Sequence, residues 1–550
     1  MDLSALSLTV EKVARLRAFP SLDLQAWRGV EDSTEEVLAS AAGLAQAPGG
    51  VELLSGYASI LYARGDESGA EEVWTALFEA LGPDGPPDAA AFCATRLARC
   101  AMDFDEPAVA ERWLKKARAR ASHLPGDHVI QHKLGLESGV LAASLGDWEE
   151  ARSNFAGLLA RPMADAGETK RWEGLGPSEL RAIEAGAFAD CLMEEARSSA
   201  HRDALLARAE DLLREAQHRA ETHTSRFYTQ INLAELLCMR GESHKAATLA
   251  SGVLALSMER GLDAVTAAKW QPCARWVMGL VSMSAGDLAG ARNHLREAFV
   301  ALRRWRSAAS KRILVRTLLD VFRHEHQARY GISSEDTVLR TLEGDGSWLL
   351  ALADFEEISS VPLVPKHSRH VDLLCIVLYG QLFRGQEETW TPRELDASYL
   401  HGAALFHDIG NLHMPWSLLR RVRPPAAKHV KRLQRHVSAG AEILESVGLP
   451  MTARLLEEHH ERADGSGYPS GLARPTTLGG ILALAEGLVT RATPSAAVPA
   501  PPTLESAAKT VLQETWPSFH PQAVGSLRRA AESGALLALD VALRSDAAAR

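Results

Sequence analysis

The sequence predicts an all-α protein, built as an N-terminal helical-repeat solenoid followed by a C-terminal helical bundle. Three observations carry that expectation. From about residue 30 to 305 the chain is rich in Ala, Leu, Glu and Arg, with helical apolar spacing and few strand signals. Within that region a short pattern, Gly-[Asp/Glu]-x-x-x-Ala, recurs. The C-terminal part returns to amphipathic helices, now with histidines at their ends. A chain of 550 residues is also too long for a single core. The divisions read as 1–305 for the repeats, 306–356 for a connecting helical segment and 357–550 for the bundle.

The repeat is carried by Gly65-Asp66 with Ala70, Gly146-Asp147 with Ala151, Gly241-Glu242 with Ala246, and Gly286-Asp287 with Ala291. Phe104-Asp105 reads as a worn copy. Successive turns then fall 39, 42, 95 and 45 residues apart, and the long interval leaves room for one unrecognised unit near Asp203. In each unit an apolar helix (Tyr57 to Ala63, Val140 to Leu145, Leu233 to Met239) ends at the glycine. A second helix starts with an acidic residue in its first turn, where the helix dipole favours it. The small alanine lets the two helices pack closely. The pattern resembles tetratricopeptide-type repeats, with units longer than the usual ~34 residues. A stack of that kind offers a concave surface to a protein partner. The alternative is a plain helical bundle with accidental Gly-Asp turns.

In the connecting segment, Lys311 to Tyr330 reads as a helix and Leu342 to Phe355 mixes Gly-Asp-Gly with an apolar run. His324 and His326 there read as a solvated face. His367 opens a helix whose apolar stripe is Val371, Leu374, Cys375 and Leu378, which turns the imidazole toward the core. Thr391-Pro392-Arg393-Glu394 is a capping box with proline at the first helical position. The helix it starts (Leu395, Tyr399, Ala403) delivers His407-Asp408 to its C-terminal end, where Gly410 stops it. His436 follows Leu433 on a further helix. Ala492 to Thr503, with prolines at 494, 499, 501 and 502, is a loop without a core-forming pattern, and Leu504 to Glu532 returns to helix.

Composition narrows the class. Hydrophobic residues make up 46% and charged residues 24%, ordinary values for a globular chain. A formal net charge of −10 argues against a general nucleic-acid binder. The six cysteines show no CxxC spacing and read as small apolar residues of a reducing compartment. The N-terminus has Glu11, Lys12 and Arg15 where a signal peptide would be apolar, and no apolar run approaches the ~20 residues of a membrane span. A cytoplasmic protein is expected.

The chemistry gathers around His459 to Pro469, which reads His-His-Glu-Arg-Ala-Asp-Gly-Ser-Gly-Tyr-Pro. Two adjacent imidazoles close an amphipathic helix (Leu455, Leu456), and a glycine-rich loop follows at once. Histidine is the commonest side-chain metal ligand, and glycines let the backbone approach closely. Upstream lie His407-Asp408-Ile409-Gly410 and His436. Independent core or surface histidines would be the bland alternative. A basic stretch is also present: Arg420, Arg421, Arg423, Lys428, Lys431, Arg432 and Arg435 stand between Asp408 and Glu442 with no acidic residue among them. Lys428 and Arg432 are spaced to share a helix face with His436, which suits an anionic ligand such as a phosphodiester; a solvated basic face is the alternative.

These motifs resemble the HD-GYP family, a branch of the HD phosphohydrolases that cleaves cyclic dinucleotides, above all cyclic di-GMP, and the likeness covers about residues 360 to 535. The resemblance implies a metal-dependent phosphodiesterase with His407 and Asp408 at its catalytic centre. It implies two divalent transition-metal ions, Fe or Mn. His367, His407 and Asp408 would hold the first, Asp408, His436, His459 and His460 the second, and Ala485-Glu486 would supply the remaining ligand. Asn411, Arg432, Asp464, Gly465, Gly467, Tyr468 and Pro469 would face the substrate. The chain departs from the family pattern in three places. Asn411 stands where a lysine is expected, Glu486 replaces an aspartate, and the Pro/Ala loop replaces a basic segment. A catalytically weak or inactive signalling module, acting through protein contacts or ligand sensing, is therefore the alternative function.

Overall fold

The computed structural model describes residues 1–16, 24–162, 166–173, 175–258, 264–302, 308–330, 367–383, 397–419, 427–493, 500–515 and 518–548. The fold is all-α, and no strand occurs among the described residues. The chain divides into two compact units, Met1–Leu314 and Val315–Arg550. No helix of the described residues is long and apolar enough to cross a membrane.

The first unit opens with α1 (Leu3–Ala14) and α2 (Leu24–Gln46). Helical hairpins follow: α3 (Gly50–Arg64) with α4 (Glu67–Leu81), α5 (Pro87–Asp103) with α6 (Pro107–Ala121), and α7 (Val129–Ser144) with α8 (Trp148–Leu159). After the short α9 (Ala166–Glu173) come α10 (Pro177–Ala196) with α11 (Arg202–Arg219), α12 (His223–Met239) with α13 (Ser243–Leu256), and α14 (Ala264–Ser284) with α15 (Leu288–Leu302).

One turn chemistry joins most of these pairs. Gly65, Gly146, Gly241 and Gly286 take left-handed φ values of 75–98°, which a side chain would resist. The next residue then donates its N–H five residues back: Asp66 to Leu61 (2.9 Å), Asp147 to Ala142 (3.0 Å), Glu242 to Leu237 (2.8 Å) and Asp287 to Ser282 (2.9 Å). That is a Schellman closure of the first helix. In three units the same residue caps the second helix, since the Asp66, Asp147 and Asp287 carboxylates accept from the N–H groups of Gly69, Glu150 and Gly290. One residue thus ends one helix and begins the next. Ala70, Ala151, Ala246 and Ala291 are fully buried at the hairpin contacts.

The worn copy exists, displaced by one residue from its expected register. Asp105, not Phe104, takes the left-handed position (φ 57°), Glu106 closes back on Ala101 at 2.8 Å, and Ala110 is the buried alanine. The long interval holds the α10–α11 pair, whose second helix opens at Arg202 with Asp203 in its first turn. Its turn contains no left-handed glycine, which is why the pattern missed it.

The second unit contains most of α16 (Ala308–Tyr330), then α17 (His367–Leu382) and α18 (Ala397–Phe406). A 3₁₀ turn (Ile409–His413) and the short α19 (Trp416–Leu419) lead to α20 (Ala427–Gln434), α21 (His436–Ser446) and α22 (Pro450–Glu457). The chain closes with α23 (Thr477–Ala492), α24 (Leu504–Thr510), α25 (Pro521–Glu532) and α26 (Ala535–Ala548). One apolar cluster of its core brings α17 (Leu374, Cys375, Leu378) against α18 (Leu400, Ala403), α23 (Ile481, Leu482, Leu488) and α25 (Leu527). The expected capping box at 391–394, the segment Leu342 to Phe355, Arg420, Arg421 and Arg423, and the centre of the Pro/Ala loop lie outside the described residues. One expectation needs correction. The helix of Lys428 and Arg432 ends at Gln434, Arg435 forms a turn, and His436 starts a new helix, so the helical spacing does not carry across.

Candidate metal centre

The site starts from two glycines. Gly410, just after His407-Asp408, lies so close to α21 that a β-carbon there would overlap the carbonyl of His436 and the N–H of Gly440. Gly440 is less confined: a β-carbon there would come within 3.2–3.3 Å of Gly410, Ile409 and Leu456. This contact seats the His407-Asp408 turn on the N-terminal end of α21, where His436 begins the helix. His459 and His460 arrive from the end of α22, and His367 from the first turn of α17.

The side chains form two groups. His367, His407 and Asp408 offer ligand atoms within 4.8 Å of one another, and so do His436, His459 and His460. Asp408 stands between them. Its Oδ2 is 3.4 Å from His407 Nε2 and its Oδ1 is 3.5 Å from His436 Nε2.

The backbone sets the tautomers. His407, His436 and His459 each donate Nδ1–H to the carbonyl three residues earlier, those of Ala404 (2.9 Å), Leu433 (2.7 Å) and Leu456 (2.6 Å). Each ring therefore turns its Nε2 inward, the nitrogen that offers a lone pair once it is deprotonated. The Nε2 atoms of His436 and His459 face each other at 3.3 Å, lone pair against lone pair. Nε2 of His407 and Nδ1 of His367 are buried without a hydrogen-bond partner. Converging lone pairs beside a carboxylate fit a cation, and imidazole with carboxylate oxygen suits a divalent transition metal.

Electrostatics agree. Burial drives His459 well below the ordinary imidazole value, and the neighbouring rings of His460 and His436 push the same way. Burial first and His436 second bring His460 down to about 3, while burial and His407 bring His367 down to about 4. Burial alone would lower His407 too, but the Asp408 charge outweighs it and holds that ring up at about 9. Burial would raise Asp408, yet the surrounding imidazoles, His407 foremost, hold it well below the usual carboxylate range. Metal-free, the Asp408 carboxylate pairs with a protonated His407, beside the neutral rings of His367, His459 and His460.

The loop behind the histidines is held by carboxylates that the sequence reading missed. Glu461, 1% exposed, accepts the N–H groups of Ser470 and Leu472 at 2.7 Å each. Glu458 accepts from the N–H (2.7 Å) and hydroxyl (2.6 Å) of Thr476, which caps α23. Asp372 ties α17 to α18 through His401 Nδ1 at 2.8 Å. The Glu-Glu-His-His-Glu run was the available signal for the first two.

The residues expected at the substrate divide. Tyr468 stacks on His460, with ring centroids 4.6 Å apart and planes 27° apart, and the Tyr468–Pro469 peptide is cis. A β-carbon on Gly467 would overlap the backbone of His460 to Arg462, and Gly465 is left-handed. Asp464 is exposed and accepts the N–H and hydroxyl of Ser466 (3.0 and 2.6 Å), which gives it a turn-forming task. Asn411 lies half-buried in the 3₁₀ turn beside Asp408, and Arg432 is buried on α20. Glu486 falls outside both ligand groups; the Thr490 hydroxyl donates to it at 2.9 Å, and burial raises its carboxyl.

Residues 384–509 match the HD domain family. HD domains bind divalent metals, and both ligand groups involve histidines from within that match. The chain is 36% identical over 108 residues to 3′3′-cGAMP-specific phosphodiesterase 1 of Vibrio cholerae, which is 20% of this chain and 23% of that protein. It is 33% identical over 82 residues to the cyclic di-GMP phosphodiesterase response regulator RpfG of Xanthomonas campestris, 14% of this chain and 22% of the relative. The same figures describe its similarity to a cyclic di-GMP phosphodiesterase of Thermotoga maritima. The chain thus spans under a quarter of the length of these relatives. At family level the likeness is to HD-superfamily hydrolases that act on cyclic dinucleotides.

Proposed function

We propose that the second unit is an HD-GYP-type phosphodiesterase that hydrolyses a cyclic dinucleotide, cyclic di-GMP first, in bacterial-type second-messenger signalling. The observation that carries this reading is the division of the Asp408 carboxylate between two imidazole groups, one oxygen to His407 and the other to His436. His367, His407 and Asp408 would hold one Fe or Mn ion, and Asp408, His436, His459 and His460 the other. When bound, such a pair supplies charge stabilisation for the attacking and leaving oxygens of an in-line phosphoryl displacement. The chain's own residues do the rest. The carbonyls of Ala404, Leu433 and Leu456 keep the ligand tautomers, Asn411 donates to a phosphate oxygen, and the 464–469 loop walls the site. The helical hairpins, which resemble tetratricopeptide repeats, would serve as a docking or regulatory surface for a protein partner. The protein would act in the cytoplasm, where the messenger is.

Turnover of cyclic di-GMP and of 3′3′-cGAMP by the Fe- or Mn-supplemented protein tests this. Asp408→Ala or His407→Ala should abolish it, because each removes a ligand. Metal-loaded protein inert on both substrates sinks the proposal. Two observations favour a second reading, a sensor or scaffold with little turnover: Glu486 lies outside both ligand groups, and Asn411 brings no charge. Tight binding of either dinucleotide without hydrolysis would select it.

A further inference from the structure

His460 lacks the support its neighbours have. Three rings of the centre are oriented by the carbonyl three residues back, but the His460 ring makes no such bond among the described residues. Its flat contact is Tyr468, at 4.6 Å and 27°. The tyrosine is itself fixed from both sides. Its N–H donates to the His460 carbonyl at 3.2 Å, Gly467 before it fits only without a β-carbon, and Glu461 pins Ser470 and Leu472 just after it.

We infer that Tyr468 is the positioning residue of His460, its ring face doing for that imidazole what a carbonyl does for His407, His436 and His459. This rests on the two-ion reading above. The electron-rich face of a phenol also favours an imidazole that gains positive character when it ligates a cation. The hydroxyl is not needed for either task, so phenylalanine should substitute. Loss of the ring should weaken only the group containing His460, and His367, His407 and Asp408 should keep their ion. Residues that hold a metal ligand in place in this way are worth about 10–100-fold in metal affinity.

The test is titration of metal-stripped full-length protein with Co²⁺, followed by its visible absorption and by competition with a chelator. Wild type and Tyr468→Phe should take up two equivalents alike. Tyr468→Leu, which fills the space without a ring face, and Tyr468→Ala should bind one equivalent normally and the second about 10–100-fold more weakly. The unchanged first equivalent shows that the variants are folded. The inference is overturned if Tyr468→Leu and Tyr468→Ala hold both ions as wild type does, or if Tyr468→Phe is as weak as they are. Wild-type protein that takes up no cobalt would instead bring down the metal reading itself.

Discussion

Gly410 and His436 touch backbone to backbone: no atom larger than hydrogen fits on Gly410 without striking the His436 carbonyl. The contact places Asp408 beside the first residue of α21, so the geometry of the centre depends on it. Gly410→Ala should destabilise the protein by at least ~1–3 kcal/mol, as overpacking does, and should reduce metal uptake at once. Urea unfolding and metal analysis would show it. A variant with unchanged stability and full metal content would mean that the turn can move away from α21.

Asn411 sits one turn past Asp408, its backbone N–H bonded to the Asp408 carbonyl at 2.9 Å. A neutral amide can donate to a phosphate oxygen but cannot offset its charge. Asn411→Lys should therefore raise cyclic dinucleotide hydrolysis by roughly one to two orders of magnitude, about 1.4–2.8 kcal/mol of barrier. Steady-state rates on metal-loaded protein decide this. If wild type and variant are equally inert, the enzyme reading gives way to a receptor.

The metal-free chain should show two pH limbs. His367, His459 and His460 bind protons more weakly folded than unfolded, being held at about 4, well below ordinary, and at about 3. Stability should therefore fall as pH drops below the ordinary imidazole value of about 6.5. Asp408, held low, adds stability that is present above the usual carboxylate value and lost as pH falls through its lowered one. His407, held up at about 9, works in the other direction: its contribution is complete below about 6.5 and lost as pH rises through about 9. Unfolding in chelator at a series of pH values would trace both limbs. His460→Gln should flatten the acid one, and an unchanged acid limb would refute that assignment.

The repeat turns make a contrasting pair. Gly146 has a left-handed φ of 75° and open space where a β-carbon would go, so Gly146→Ala isolates the backbone term, ~1–2 kcal/mol of destabilisation. Asp105 already adopts that conformation with a side chain. Asp105→Gly should be neutral or stabilising in thermal unfolding. A clear loss would mean that the aspartate side chain contributes more than its backbone costs.

The fold class was legible because periodic apolar spacing and the Gly-Asp turns are both written in residue identity. The worn copy was misplaced by one residue because asparagine and aspartate tolerate the left-handed region, so the missing glycine marked no position. The turn between α10 and α11 carries no such residue and left no signal. Order and spacing of His367, His407, Asp408, His436, His459 and His460 were readable from motif. Their orientation was not, since it comes from the carbonyls of Ala404, Leu433 and Leu456, and a backbone carbonyl has no sequence signature. The break at Arg435 was hidden too, because nothing between Lys428 and Val437 is a helix breaker.

The ligand set comes from four separate stretches, at His367, at His407-Asp408, at His436 and at His459-His460. Half-assembled bundles therefore have no centre to fill, and ions captured in the two groups would act as non-covalent staples between those stretches. Their binding energy would add to the energy of holding α17, α21 and α22 together. Stripping them should expose those helices to limited proteolysis before any change reaches the hairpins of the first unit, so that a protease and a chelator together would map where metal binding and architecture share the same atoms.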